Sequence, residues 1–368
     1  MHATEVTTTA PTPPAPAPAA AVGWWPLVLV LAGTFVTFLD FFIVNVALPS
    51  IDADLNAGSA ALSLVVAGYG LTFSAGMITG GRLGDLFGRR RMFAIGLALF
   101  ALTSAACGFA PTIGVLVAAR FLQGAAGALL TPQVLAIIGT VYSGDRRNRA
   151  FAAYGFAMGI AGVLGQLIGG ALISADLAGL GWRAIFLINL PMGLLALPRL
   201  VRVIPDVRGE RASMDGVGTV LVTLAALALV LPLVEGREHG WPAWCWILLA
   251  AAPVLGMLFV GQQRRRDATG RAPLVDLGLF RQRGFTVGLL LAFTFCTVPS
   301  SLFFVLALFL QQGRGFQPLF AGTLFVAVGV GYFAATLVAL PIGRRIGGQV
   351  LALGSLLVAA GCALLAES

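Results

Sequence analysis

Two ionisable side chains stand where hydrocarbon is expected. Asp40 lies in FLDFFIVNVALPSI, residues 38–51, and Arg120 lies in AARFLQGAAGALLTPQ, residues 118–133. A central Asp or Arg costs roughly 2.5–3.5 kcal/mol on membrane-insertion scales, so each needs a partner, a water-filled cavity or, for the acid, a proton. Taking a carboxyl group out of water favours its neutral form, and a neighbouring cation favours its charged form. A group that changes protonation between two environments is what proton coupling requires. The alternative for Asp40 is a structural Asp bonded to a neighbouring helix, and for Arg120 a guanidinium that holds helices through backbone carbonyls. Structural polar contacts between membrane helices more often use Ser, Thr or Asn, which favours chemistry at Asp40.

The elements that must position this pair follow from composition. Of 368 residues, 58% are hydrophobic and only 10% are charged, with a mean hydropathy of +0.94. A soluble domain usually carries about 25% charged residues. Apolar runs of roughly 20 residues recur along the chain, each enough to cross the bilayer as a helix. They are continuous rather than alternating, which excludes a barrel. The reading is an all-α polytopic membrane protein with about eleven spans, at 24–49, 60–81, 92–110, 113–140, 150–174, 183–203, 215–234, 243–262, 285–310, 319–342 and 348–365. Residues 1–22 are Pro/Ala/Thr-rich and predict a disordered N-terminal tail without the features of a cleaved signal peptide. The cysteines, Cys107, Cys245, Cys296 and Cys362, fall in apolar segments without disulfide or metal-ligand spacing and read as small packing residues.

All 23 basic residues are Arg, and their placement sets orientation. With the N-terminus inside, the internal loops and adjoining span ends hold Arg82, Arg89, Arg90, Arg91, Arg146, Arg147, Arg149, Arg199, Arg202, Arg208 and Arg211. Further on they hold Arg264, Arg265, Arg266, Arg271, Arg281, Arg283, Arg344 and Arg345, against Arg183, Arg237 and Arg314 outside. This is the positive-inside asymmetry of a multi-pass protein of the cytoplasmic membrane. The net charge of +8 therefore reports topology and contact with anionic lipid, not nucleic-acid binding.

The segment GGRLGDLFGRRRMFAIG, residues 80–96, resembles the internal-loop motif of the major facilitator superfamily, with Gly81, Leu83, Asp85, Gly88, Arg89 and Arg90 in register. LDFFIVNVALP, residues 39–49, is similar to the first-span signature of the fourteen-span drug:proton antiporters, with Phe42 where that pattern commonly has Thr. Arg120, Gln123 and Gly124 match the fourth-span motif that the family associates with proton transfer. GWRAIFLINLPMGL, residues 181–194, and the segment opening SMDGVGTV after the sixth span look like the same branch. The fifth span departs from it. It reads GQLIGG with Gln166 in the motif's proline position, while Gly165, Gly169 and Gly170 keep a small-residue face for helix packing.

The resemblance implies a major facilitator fold with about eleven transmembrane helices present of an expected fourteen. Residues 23–204 would form an N-terminal six-helix bundle, 205–266 the two extra linker helices, and 267–368 a partial C-terminal bundle of three helices. PIGRRIGG, residues 341–348, echoes RLGDLFGR, residues 82–89, at the corresponding place in the second half, so the chain reads as a fragment, a truncated product or an incomplete second half. The implied function is proton-coupled export of small amphipathic compounds by alternating access, with Asp40 and Arg120 as the proton-coupling pair. Gly81, Asp85, Gly88, Arg89 and Arg90 would form a conformational latch. Phe41, Asn45, Gln123, Gln133 and Gln166 would line a substrate cavity or, equally, tie helices together. The partners are then the cargo, protons and the bilayer; the proton gradient replaces a cofactor, no metal is implied, and oligomeric state carries no signal. A uniporter or symporter on the same fold, or a transport-inactive truncated membrane protein, is the alternative. An enzyme is disfavoured: the spans hold no His or Cys cluster, paired carboxylates or phosphate-cradling loop, and His2 and His239 lie outside them.

Overall fold

The structure, a computed structural model, describes residues 23–204, 215–236, 240–271, 273–347 and 349–367. The tail expected over 1–22 lies outside these residues, as do the loop arginines Arg208 and Arg211 and both histidines. Every described element is helical. A helix falls on each apolar run read from the sequence: α1 (Trp25–Leu55), α2 (Gly58–Phe87), α3 (Arg89–Gly108), α4 (Ile113–Val141), α5 (Gly144–Ala175), the consecutive α6 (Ala184–Leu187) and α7 (Asn189–Val203), α8 (Gly216–Glu235), α9 (Ala243–Ala268), α10 (Arg283–Leu308), α11 (Pro318–Ile346) and α12 (Gln349–Glu367). Among the described residues nine helical stretches are long and apolar enough to cross a membrane, with shorter apolar runs in α10 and α12.

Helix ends overrun the apolar runs on the side rich in arginine. α5 starts at Gly144 and carries Arg146, Arg147 and Arg149 in its first turns, and α9 continues through Arg264, Arg265 and Arg266. Hydropathy marks where hydrocarbon stops, whereas a helix continues into water for as long as its backbone bonds are met. Basic residues in the last turn of α9 also face the negative end of the helix dipole.

The first six apolar runs form one bundle. α4 packs against α2 and α3, α5 against α1, and α7 against α3 and α1. Helices in lipid gain little from burying apolar area against one another, so close backbone approach matters more. Gly124 of α4 supplies it, since a Cβ there would run into the Tyr69 carbonyl of α2; Gly80 does the same against the Ala128 carbonyl. α8 joins this bundle along α2, with Thr79 and Thr219 in contact, and pairs with α9. α11 lies along α5.

The bundle core is layered. One apolar cluster gathers Ile43, Leu48, Ile51, Leu62, Val65, Leu116, Ile185 and Phe186. Another gathers Val30, Phe93, Leu97, Leu130, Val134, Ile137 and Leu200 towards the opposite ends of the same helices. Between them lies a layer of polar side chains.

Candidate functional site

Asp40 and Arg120 occupy that layer. Each is wholly enclosed, and Arg120 Nη1 lies 2.5 Å from Asp40 Oδ2. Three helices meet here because Gly124 seats α4 against α2 and brings Arg120 Nε to the Val65 carbonyl, 3.0 Å away. Arg120 Nη1 also donates to Gln123 Oε1 at 2.8 Å, and the guanidinium carbon lies 4.3 Å from the centre of the Tyr69 ring. Tyr69 is fixed by donating its own hydroxyl to the Thr37 carbonyl, 3.1 Å away.

The other oxygen of Asp40 accepts two amides. Gln123 Nε2 lies 2.9 Å and Asn189 Nδ2 2.8 Å from Oδ1. Both amides also reach Ser104 Oγ, at 3.0 Å and 2.8 Å, and Ser104 donates to the Phe186 carbonyl at 2.9 Å. Cys107 Sγ donates to Gln123 Oε1. Every contact to the Asp40 carboxyl therefore comes from an N–H donor, three in all, which suits the charged form. An enclosed ion pair is tolerable where donors surround the acid, whereas either member alone is not. Two buried atoms beside it, Arg120 Nη2 and Asn189 Oδ1, have no partner among the described residues.

Asn189 and Ser104 are site residues that the sequence reading did not single out. Asn189 is the first residue of α7, and Ile188 between α6 and α7 keeps helical angles (φ −59°, ψ −24°), so the two run on as one helical stretch. Pro191 has no N–H to give to the Leu187 carbonyl, so that backbone bond of the stretch is not made. The signal was present as a polar residue two positions before a proline inside an apolar run. Ser104 gives no comparable signal, since Ser is common in membrane spans.

The remaining expected positions fall in three places. At the arginine-rich end, Gly88 closes α2 with φ 96° and its N–H on the Gly84 carbonyl. Arg89 spans from Asp85, at 3.0 Å, to the Ala136 carbonyl of α4, also at 3.0 Å. Arg90 reaches the Ile204 carbonyl after α7, and Gly81 sits beside Pro132. Arg82 in the same turn donates to the Pro273 carbonyl beyond α9, at 2.5 Å. Gln133 is not near Asp40; it ties α4 to α2 through the Gly80 carbonyl at 2.7 Å.

On α5, Gly165 and Gly169 back onto α1 at Leu39, Ile43 and Val46, and Gly170 backs onto the Pro318 carbonyl of α11. Gln166 fills the motif's proline position by donating Nε2 to the Phe42 carbonyl of α1 at 3.0 Å. Phe41 packs on Tyr69 and on Phe42, and Phe42 in turn meets Phe303 of α10. Asn45 is buried on α1. Of the four Asn and Gln side chains named from sequence, the structure thus brings only Gln123 to the acid.

A second polar knot ties the extra helices down. Asp215, before α8, accepts from the Gly218 N–H at 2.9 Å, Gln262 at 2.7 Å and Gln263 at 2.7 Å, with Arg266 at 3.6 Å. Gln263 Oε1 accepts from the Leu274 and Val275 N–H groups. Burial pushes the Asp215 carboxyl up, but these donors and the Arg266 charge outweigh it and hold it below its ordinary value.

The family model described as the Major Facilitator Superfamily matches residues 30–367. The chain is 38% identical over 345 residues to the "Probable actinorhodin transporter" of Streptomyces coelicolor, covering 92% of this chain and 59% of that protein. It is 35% identical over 344 residues to the "Tetracenomycin C resistance and export protein" of Streptomyces glaucescens, covering 91% of this chain and 62% of that one. It is 35% identical over 324 residues to the "Multidrug resistance protein Stp" of Mycobacterium tuberculosis, covering 86% and 58%. The chain thus spans roughly three fifths of the length of these curated relatives. Among solved structures, a POT family transporter in complex with a thioalcohol-conjugated peptide superposes with a TM-score of 0.59 at 14% identity, covering 87% of this chain and 70% of that one. The xylose transporter XylE from E. coli, partially occluded and inward open, gives 0.55 at 16% identity, covering 87% and 73%. At these identities the likeness concerns the fold.

Proposed function

The chain belongs to the Major Facilitator Superfamily, and on that footing we propose that it serves proton-driven export of small amphipathic compounds across the cytoplasmic membrane. The observation that carries this reading is the enclosed Asp40–Arg120 pair. With Asp40 ionised, Arg120 and the two amides hold it and the polar layer stays closed. A proton on Asp40 cancels its charge and releases much of the pull on Arg120, loosening α1 from α4 within the first bundle. Deprotonation on the other side restores the pair. A ligand or proton shifts such an equilibrium only by binding its two states differently, and a guanidinium that meets a charged acid in one state alone supplies that difference.

In this reading residues 23–204 act as one bundle, 205–266 as the added helix pair and 267–368 as part of the second bundle of the fourteen-span plan, with the N-terminus inside as the arginine asymmetry requires. Asp85 and Arg89, linked at 3.0 Å, act as the internal latch. Cargo that is small and amphipathic fits the relatives' printed names, which speak of an actinorhodin transporter, of tetracenomycin C resistance and export, and of multidrug resistance. The deciding experiment is Asp40→Asn in the full-length protein, assayed in inverted vesicles with an imposed pH gradient. Cargo-linked proton movement is abolished while expression holds; proton coupling equal to wild type would remove Asp40 from the mechanism.

A further inference from the structure

Hydrogen-bond accounting around Asp40 leaves one acceptor unused. Asp40 receives only N–H donors, so its charged form is fully served. Its neutral form is a donor and needs a lone pair to point at. Gln123 Oε1 already takes Arg120 and Cys107, and Ser104 Oγ already takes Gln123 and Asn189 while its hydrogen goes to Phe186. Asn189 Oδ1 is buried with no partner among the described residues. Of the charged and titratable groups packed about the acid, Arg120 comes from α4, Tyr69 from α2 and Cys107 from α3. Arg120 cannot accept, and the hydrogen bonds of Tyr69 and Cys107 run to the Thr37 carbonyl and to Gln123, whereas Asn189 is already in hydrogen-bond contact with the acid.

We propose that Asn189 is a positioning residue for the proton carrier: its amide N–H holds Asp40 when ionised, and its carbonyl, turned to the same spot, holds Asp40 when protonated. The inference rests on Asp40 being the site of protonation. Uptake of one proton from hydronium breaks an O–H bond there, leaves water, forms an O–H bond at Oδ1 and leaves Oδ2 facing Arg120. Rotation of the Asn189 carboxamide about its terminal torsion then exchanges Nδ2 for Oδ1 at the acid. A buried group left without its partner costs about as much as a tenfold change in proton affinity. Asn189 offers this exchange because its side chain is turned inward among Asp40 and Ser104.

The test is infrared difference spectroscopy of purified full-length protein between high and low pH. Protonated Asp40 gives a carboxylic C=O band that Asp40→Asn removes. In Asn189→Leu the acid has lost its acceptor while Arg120 and Gln123 still hold the charged form. The band therefore moves to higher frequency, because the protonated acid no longer donates to a carbonyl. Absence of any Asp40-dependent band would overturn the proton-carrier reading and this inference with it. An Asp40-dependent band that keeps its frequency in Asn189→Leu would overturn the role of Asn189 alone. Asn189→Ala removes the same amide at smaller volume and is read in the same way should the leucine variant fail to accumulate.

Discussion

Arg120 meets Asp40 across 80 positions of sequence, and neither side chain is exposed. An ion pair in such a place is a poor source of net stability, yet breaking it from one side strands a charge. Arg120→Leu should therefore cost about 3–5 kcal/mol against unfolding in detergent. Adding Asp40→Asn to it should recover a large part of that loss. Additive losses in the double-mutant cycle would mean the two side chains do not act as a pair.

The approach of α4 to α2 rests on missing side chains. Gly124→Ala pushes a methyl group into the Tyr69 carbonyl and should destabilise by about 1–3 kcal/mol, displacing Arg120 from Asp40. Gly114, on the same helix with nothing within 4 Å, is the control, and Gly114→Ala should be neutral or slightly stabilising. Thermal unfolding of the two variants side by side decides the matter; equal melting temperatures would contradict the packing account.

Asp215 predicts a pH dependence that the membrane interior does not complicate. Its carboxyl is held below the ordinary 3.8 in the folded protein. A group whose folded value is depressed contributes stability above its unfolded value, and loses it as pH falls through the folded one. Asp215→Asn should thus lower the melting temperature at neutral pH, and the gap from wild type should narrow as the medium is taken below about pH 4. A gap of constant size across that range would count against the charge of Asp215 as its cause.

Asp85 and Arg89 bridge the α2–α3 turn at 3.0 Å while Arg89 also grips the Ala136 carbonyl. As both are partly exposed, the pair itself contributes little to stability, on the order of 0–1 kcal/mol. Asp85→Asn should leave the melting temperature nearly unchanged yet shift cysteine labelling between the inward and outward faces several-fold. Labelling identical to wild type would reduce the turn to a topological marker.

How much of this was legible follows from what each residue type signals. A charge inside an apolar run is rare enough to name itself, so Asp40 and Arg120 stood out, and an unbroken apolar run gives the position of a helix. Gln123 and Gln133 look alike in sequence, ten positions apart on one helix, yet one serves the acid and the other serves the Gly80 carbonyl. Only the rotation of α4 separates them. Asn189 required knowing which face of the α6–α7 stretch is turned to Asp40. The contact of Gly170 with Pro318 joins segments far apart in the chain and leaves no periodic trace in either.

Arg82 holds Pro273, and Gln263 holds Leu274 and Val275, so the strand of chain that leaves α9 is moored to the first bundle before it reaches α10. α8 and α9 are then ballast on that bundle rather than a loose spacer between two halves. Any swing of α10 relative to α2 has its slack confined to the short stretch from Asp276 to Gln282, where a single 3-10 turn is all the backbone there is to flex.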